Sequence, residues 1–357
     1  MDKHNPTGAG SFSMNRMDGS TVGNCSTAEG FNSTASGDFS HAEGIMTDAI
    51  GNSSHSEGNN TTASGTNAHS EGNNTTASGY NSHAEGYKTT ASGDASHAEG
   101  SGTVTSGNYS HAEGLDSITC GDSSHAEGRK MIAYGAASHA EGSGTKDSIN
   151  LTGEANSFEY VVEGVSVDKL KVGSVIYYEG AFARITSLSV DNNTVTLDDT
   201  LCIDNALNSS PVDLFSRGAF GAYSHAEGYN TKATNTASHA EGSDTTASGH
   251  ASHTEGIMTT ASGYYSHAEG AATQAIGDCS HAEGDSTTAS GDRSHAEGEW
   301  TTASGDYSHV EGIGTTASGE ASHAEGAHTI ASKSNQHVQG KYNIEDTVSA
   351  HIVGNGG

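Results

Sequence analysis

A fourteen-residue pattern of small apolar and polar residues runs through most of the chain. Its most regular block is Ser-His-Ala-Glu-Gly, whose histidine recurs every 14 residues from His41 to His139 and again from His225 to His351. A second block, typically Thr-Thr-Ala-Ser-Gly, follows after two variable residues, and two more variable residues complete the period. Five residues is the usual length of a strand, whereas a helix needs ten or more. The pattern predicts two strands and two corners in each coil of a narrow, all-β parallel solenoid.

Alternation within each block predicts which side chains face the interior. Residues i and i+2 of a strand share a face, so His83 and Glu85 point one way and Ala84 the other. A coil of two short strands leaves little interior, so Ala84 and Ala91 are expected to face inward and the His and Glu side chains outward. The glycine that closes each block, such as Gly93, is expected to adopt the positive φ of a tight turn.

Stacking of the coils places equivalent residues about 4.8 Å apart, so the outward positions predict a ladder of histidines beside a ladder of glutamates. Like charges repeated at every rung repel, and the histidines relieve this by hydrogen bonding or protonation. In the assembled protein the glutamates are expected to raise the pKa of the histidines above about 6.5. Because the interior is so thin, lateral association of several solenoids is expected to supply further stability.

The repeat is interrupted by a segment of ordinary globular composition. His139 and His225 are 86 residues apart, one period plus 72 residues, and residues 145–216 account for that excess. Runs rich in β-branched and aromatic residues predict an inserted five- or six-stranded barrel or sandwich, which binds a receptor or acts as a spacer. These runs are 158–162, 174–178, 183–188 and 194–197, separated at Gly173, Gly180 and the turn 191–193. The predicted domains are a lead-in at 1–23, solenoid at 24–144, the insert at 145–216, and solenoid with an exit segment at 217–357.

Composition and charge exclude several classes of partner. The chain has 14 Lys and Arg against 44 Asp and Glu, a formal charge of −30, which argues against nucleic acids and anionic membrane surfaces. The sequence contains no run of about 18 apolar residues, the length that would predict a membrane-spanning helix. The low hydrophobicity would suggest disorder, but a disordered chain does not maintain a period through so many copies. The four cysteines have no paired spacing and are expected to be free thiols.

The SHAEG-xx-TTASG-xx unit resembles the head repeat of trimeric autotransporter adhesins, which has two larger apolar residues where this chain has His and Glu. That resemblance implies a left-handed parallel β-roll, a trimer, and those two positions directed toward the trimer axis. The SHAEG variant, the lead-in 5–13 and the exit segment 337–356 more closely resemble tail-fibre, tail-spike and neck-appendage proteins of phages and prophages of Gram-positive hosts. In such a trimer each coil would contribute a ring of three histidines and a ring of three glutamates.

Candidate chemistry follows from the same repeat. Adjacent Ser and His face opposite sides of a strand and cannot form a nucleophile–base pair, so no catalytic residues are expected. No cofactor is expected either, although rings of His and Glu along the three-fold axis could bind ions. The candidate metal ligands are His83, Glu85, His97, Glu99, His267, Glu269, His281 and Glu283. The candidates for recognition of surface sugars are Tyr87, Tyr109, Tyr177, Tyr178, Tyr264, Tyr265, Trp300 and Tyr307.

These observations predict a homotrimeric, non-enzymatic tail-fibre shaft with the His/Glu ladders in or near the trimer interface. It would be made in the host cytoplasm, reside in the virion and act extracellularly. Its expected partners are further copies of itself, tail or baseplate proteins, and a polysaccharide or protein receptor on the host. The alternatives are a bacterial cell-surface trimeric adhesin, a tail-spike enzyme with its activity in the insert or in a further C-terminal domain, and an ice-binding solenoid with threonine ladders. The first residues show no secretory signal, which counts against the adhesin.

Overall fold

The computed structural model describes residues 12–14, 22–153, 157–163, 165–167, 170, 174–178, 181–197, 207–215, 217–343 and 350–355. The chain divides into two compact units, residues 1–216 and 217–357. No helix in the described ranges is long and apolar enough to cross a membrane. Most of the predicted lead-in, the predicted breakers Gly173 and Gly180, and Cys202 lie outside the described residues.

In the first unit, each coil adds one strand to each of two parallel sheets. The sheet that carries the ladder histidines is called the histidine sheet, and its strands are Thr27–Phe31, His41–Ile45, His55–Asn59, His69–Asn73, His83–Tyr87, His97–Ala98, His111–Ala112, His125–Arg129 and His139–Ser143. The other is called the threonine sheet, with strands Thr34–Ala35, Asp48–Ala49, Thr62–Ala63, Thr76–Ala77, Thr90–Ala91, Val104–Thr105, Ile118–Thr119 and Ile132–Ala133. A short strand, Phe12–Met14, pairs in parallel with Thr27–Phe31.

The second unit repeats this arrangement. Its histidine sheet contains His225–Tyr229, His239–Ser243, His253–Ile257, His267–Ala271, His281–Asp285, His295–Ala296, His309–Ile313, His323–Ala327, His337–Lys341 and His351–Asn355. Its threonine sheet contains Gly218–Ala219, Lys232–Ala233, Thr246–Ala247, Thr260–Ala261, Gln274–Ala275, Thr288–Ala289, Thr302–Ala303, Thr316–Ala317 and Ile330–Ala331. In both units every coil pairs in register with the coil 14 residues away, as His281 does with His267 and His295.

The prediction of an all-β parallel solenoid with 14-residue coils is confirmed, but the predicted strand bounds are wrong. The first strand begins at the histidine because Ser82 already belongs to the corner, where its hydroxyl donates to the Gly79 carbonyl at 2.8 Å. The second strand has only two residues because the chain turns immediately after them. The N–H groups of Ser92 and Gly93 both donate to the Thr105 carbonyl, at 2.8 and 3.3 Å.

The interior of each solenoid consists largely of alanine. Ala84 and Ala91 are completely buried, as predicted, and Val310 and Val338 occupy the position of Ala84 in two later coils. Close packing of such small side chains lets the two sheets approach, which is why the solenoid needs few large apolar residues. The apolar content of the sequence is therefore low even though the interior is closed to solvent.

The corners are built differently from the prediction. Gly86, at the end of SHAEG, has the expected positive φ of 104°, but Gly93 is not in the left-handed region. Gly93 is required for space instead, because a Cβ there would lie 2.0 Å from the Gly107 carbonyl oxygen. The left-handed residue of each corner is the second variable residue, such as Lys88 at φ 55° and Ala95 at φ 51°.

The insert is a closed antiparallel barrel of six strands within the first unit. Around the barrel the order is Lys146–Gly153, Glu159–Glu163, Thr194–Leu197, Ala181–Ser189, Val175–Tyr178 and Leu207–Phe215, which pairs back to the first. Its core contains Leu151, Tyr160, Ile176 and Ile185, all of them buried. The predicted turn after Val190 is present, with Asn193 at φ 51°. The prediction of a small inserted β-barrel is confirmed.

Candidate functional site

The outward face of each histidine sheet is a stack of imidazole rings. The rings of His83 and His97 are parallel, with their centroids 4.7 Å apart, and those of His267 and His281 are 4.8 Å apart. This spacing is the strand spacing of the sheet itself, because the ladder histidines pair in the same register from coil to coil. The face is therefore a continuous imidazole ladder within each unit.

The glutamate two residues after each histidine lies on the same face. In the first unit, His97 Nε2 is 3.6 Å from Glu85 and 3.9 Å from Glu99. In the second unit, Glu269 lies between two rings, 4.0 Å from His267 Nε2 and 3.8 Å from His281 Nε2. These separations exceed an N–H···O hydrogen bond. Glu269, like Glu71 and Glu241, therefore lies between two imidazoles without bonding closely to either.

Within a single chain, the pKa of the ladder histidines with a resolved shift is lowered rather than raised. Burial lowers the pKa of His83, and the neighbouring His97 lowers it further, which outweighs the raising effect of Glu71 and Glu99. Each stacked ring removes water from the next one, and this desolvation disfavours the imidazolium. Burial is also the largest cause of the lowered pKa of His55, His69, His111, His239, His253, His281 and His323.

Neighbouring glutamates interact with one another as well as with histidine. A side-chain hydrogen bond with Glu71 raises the pKa of Glu57, whereas hydrogen bonds with Glu85 and then Glu57 lower the pKa of Glu71. Carboxyl groups that interact in this way titrate together rather than as independent groups. The repulsion expected along the glutamate ladder is thus relieved partly by carboxyl–carboxylate bonding.

Beside the imidazoles, the glutamates and the SHAEG glycines line an open groove in each unit. The groove of the first unit has a volume of about 990 Å³ and extends from Glu29 to Gly128. The groove of the second unit has a volume of about 580 Å³ and extends from Glu297 to Val353. Glycine leaves the groove floor without side chains, so a partner group can approach the backbone directly.

Ser82 and His83 cannot cooperate in catalysis. The Ser82 side chain is buried and its hydroxyl is bonded to the corner carbonyl, whereas His83 is on the outer face. A nucleophile and its base must lie within hydrogen-bond reach of each other. The repeated Ser-His pair is therefore structural in this geometry.

The aromatic candidates divide into two groups. Those in the solenoids are exposed, with Tyr87 at the end of a histidine-sheet strand and the others at corners, namely Tyr109, Tyr264, Tyr265, Trp300 and Tyr307. Tyr177 and Tyr178 belong to a barrel strand and are half-buried, with Tyr177 stacked on Phe182 and Tyr178 packed against the barrel core. The solenoid aromatics are thus the ones that a large ligand could reach without a change in the fold.

A second ladder, which was not predicted from the sequence, is formed by Asp and Asn at the corner after the threonine sheet. The Asp94 carboxylate accepts the N–H of Tyr80 at 2.9 Å, and the Asn108 side-chain oxygen accepts the N–H of Asp94 at 2.9 Å. Asp278, Asp292 and Asp306 continue the same pattern in the second unit. The recurrence of Asp or Asn at the first variable position was the available signal. Of the cysteines, Cys25, Cys120 and Cys279 are free thiols.

The sequence matches the family described as the YadA head domain repeat (two copies) in both units. The matches cover residues 27–45, 49–68, 56–82 and 70–96 in the first unit, and 282–308 and 311–332 in the second. No curated protein matches the chain. The repeat match and the solenoid together support a YadA-like β-roll repeat protein. The match favours the adhesin over the tail fibre.

Proposed function

We propose that this chain is the β-roll of a trimeric bacterial cell-surface adhesin, a non-enzymatic structure that holds a binding surface outside the cell. The observation that carries the proposal is the YadA head repeat match in both units, at coils whose architecture is that of a parallel β-roll. The ligand would be a polysaccharide or protein on a target surface. The exposed corner aromatics and the inserted barrel are the elements available to contact it.

The face that would join the three chains is the histidine sheet. The side chains of His97 and Glu99 are one-third exposed, so they are only partly covered by their own chain. Within the described residues, the Nε2 of His97 is enclosed by its neighbours and has no hydrogen-bond partner. A copy of the same face supplies both donors and acceptors, so association would satisfy groups that one chain leaves incomplete.

The oligomeric state tests this proposal directly. Light scattering coupled to gel filtration is expected to give three times the chain mass of 36.2 kDa. Glu283→Arg reverses a charge on the histidine sheet, and Glu320→Arg makes the same change at an exposed corner. We expect only the first to shift the protein toward monomer. A wild-type monomer at micromolar concentration, or equal effects of the two variants, would overturn the proposal.

A second candidate is the shaft of a phage or prophage tail fibre, with tail or baseplate proteins as further partners. It is favoured by the polar His and Glu at the two positions that carry apolar residues in the adhesin repeat. Immunogold labelling distinguishes the two locations. Labelled cell surfaces before prophage induction support the adhesin, whereas labelled virions after induction support the tail fibre.

A further inference from the structure

We propose that the histidine sheet binds transition-metal dications such as Zn²⁺ within a single chain, at sites made of two successive ladder histidines and the glutamate between them. Representative sets are His97, Glu99 and His111 in the first unit, and His323, Glu325 and His337 in the second. In each set one ligand atom from every residue lies within 4.8 Å of the others. Such sites differ from rings of three chains because they need no partner.

The distances fit a shared metal better than a hydrogen bond. The two Nε2–carboxylate separations at Glu269 are 4.0 and 3.8 Å, longer than an ordinary hydrogen bond. A metal that takes nitrogen at about 2.0–2.1 Å and oxygen at about 2.0–2.2 Å holds those two atoms roughly 3–4 Å apart. Small rotations of the side chains would therefore bring both imidazoles and the carboxylate onto one ion.

The imidazole nitrogens are prepared for such an ion. Among the described residues, the Nε2 atoms of His83, His267 and His281 are buried and have no hydrogen-bond partner. A buried polar atom without a partner is costly, and a metal would satisfy it.

The ligand set predicts which ions bind. Two imidazoles and one carboxylate suit Zn²⁺, Co²⁺ and Ni²⁺, whereas Ca²⁺ and Mg²⁺ prefer oxygen ligands only. A water molecule would complete a four-coordinate site. The groove beside the ladder leaves room for that water.

The ladder also predicts the number of ions. Each Nε2 can ligate one metal, so neighbouring sites cannot share a histidine, and the nine ladder histidines from His225 to His337 form at most four pairs. Removal of His267 leaves runs of three and five histidines, which form one and two pairs, a total of three. Removal of His281 leaves two runs of four, which still form two pairs each, a total of four. Removal of His267 is therefore expected to lower the number of bound ions by one, whereas removal of the adjacent His281 is not.

The test is equilibrium dialysis of the full chain, first stripped with EDTA, against Zn²⁺ at pH 7.5, with bound metal measured by mass spectrometry. We expect saturable binding, one ion fewer in His267→Ala, and no loss in His281→Ala. His250→Ala is the matched control, because His250 lies at a corner outside the ladder. Circular dichroism checks that each variant is folded.

Two further measurements keep the test decisive. Co²⁺ should give the visible absorption of a four-coordinate site in the wild-type chain, independently of any variant. An equal concentration of Ca²⁺ should not displace Zn²⁺. The proposal is overturned by the absence of saturable Zn²⁺ binding, by equal losses in His267→Ala and His281→Ala, or by displacement with Ca²⁺. Because the sites lie within one chain, a monomeric protein would overturn the trimer without affecting this result.

Discussion

Gly86→Ala is expected to weaken the solenoid strongly, because Gly86 combines an unusual φ with a close backbone contact. Its φ is +104°, and a Cβ there would lie 2.2 Å from the carbonyl oxygen of Gly100. A strained backbone conformation costs about 1–3 kcal/mol. Overpacking against a backbone atom that cannot rotate away costs about 1–3 kcal/mol more. The expected loss in the free energy of unfolding is therefore about 2–6 kcal/mol.

Gly102→Asn is the matched control. Gly102 also has a positive φ, at +68°, but a Cβ there would meet only the Asp116 side chain, which can move. Asn60 and Asn74 occupy the equivalent left-handed position in other coils, at φ 55° and 57°. Because asparagine tolerates this conformation and reduces the entropy of the unfolded chain, we expect a change within about 1 kcal/mol of zero.

Urea denaturation followed by circular dichroism measures the change, and hydrogen exchange of residues 83–101 locates it. Local exchange is needed because a repeat protein can open at one coil without unfolding as a whole. If Gly86→Ala and Gly102→Asn have equal unfolding midpoints and equal exchange, the steric argument is refuted.

Three further predictions concern the interior, the ladders and the barrel. Ala84→Ser is expected to stabilise the chain by about 1 kcal/mol. The change places a hydroxyl beside Thr89 Oγ1, which has no hydrogen-bond partner within the described residues. In an equivalent coil, the hydroxyl oxygens of Ser56 and Thr61 are hydrogen-bonded at 2.8 Å. A lower melting temperature in this variant would contradict the prediction. Because burial lowers the pKa of His83 and His281 below 6.5, the folded chain resists protonation of these rings. Thermal stability in EDTA should be highest above pH 6.5. It should fall as the pH decreases through the histidine pKa values of the folded chain. A melting temperature constant from pH 8 to pH 5 would argue against that. Leu151→Ala should destabilise the barrel by about 2–5 kcal/mol, because Leu151 is buried in its core. Hydrogen exchange of the barrel strands should become faster. Unchanged exchange would show that Leu151 does not support the core.

The period and the alternation were sufficient to predict the solenoid and its inside and outside faces. Small, apolar Ala84 is next to large, polar His83, and a coil of this length closes only with the alanine inside and the histidine outside. The strand ends could not be predicted, because Tyr87, a variable residue, pairs in the sheet with Asn73. This pairing depends on the backbone of the neighbouring coil, and the pattern of side chains along the sequence does not predict it.

Two properties of the candidate site required coordinates. A sequence cannot show whether a glycine is needed for its φ or for space, and Gly86 and Gly93 differ in that respect. The lowered pKa of His83 within one chain could not be foreseen, because the sequence reveals the neighbouring glutamates but not the desolvation caused by burial. Of the barrel, the first and last strands were not located, since Pro211 interrupts the apparent β pattern of the last.

The left-handed corner residue restricts which sequences this fold can evolve toward. Among the described non-glycine residues with positive φ, the solenoid corners include Phe39, Met46, Arg293 and Trp300, but no Val, Ile or Thr. This left-handed conformation disfavours side chains that branch at Cβ, whereas the size, charge and aromaticity of the side chain can vary. Mutation can therefore change the chemistry displayed at a corner without altering the coil that carries it. Duplication or deletion of one 14-residue repeat within a unit would change the number of coils and leave every other coil as it was, so length and surface chemistry can be inherited independently.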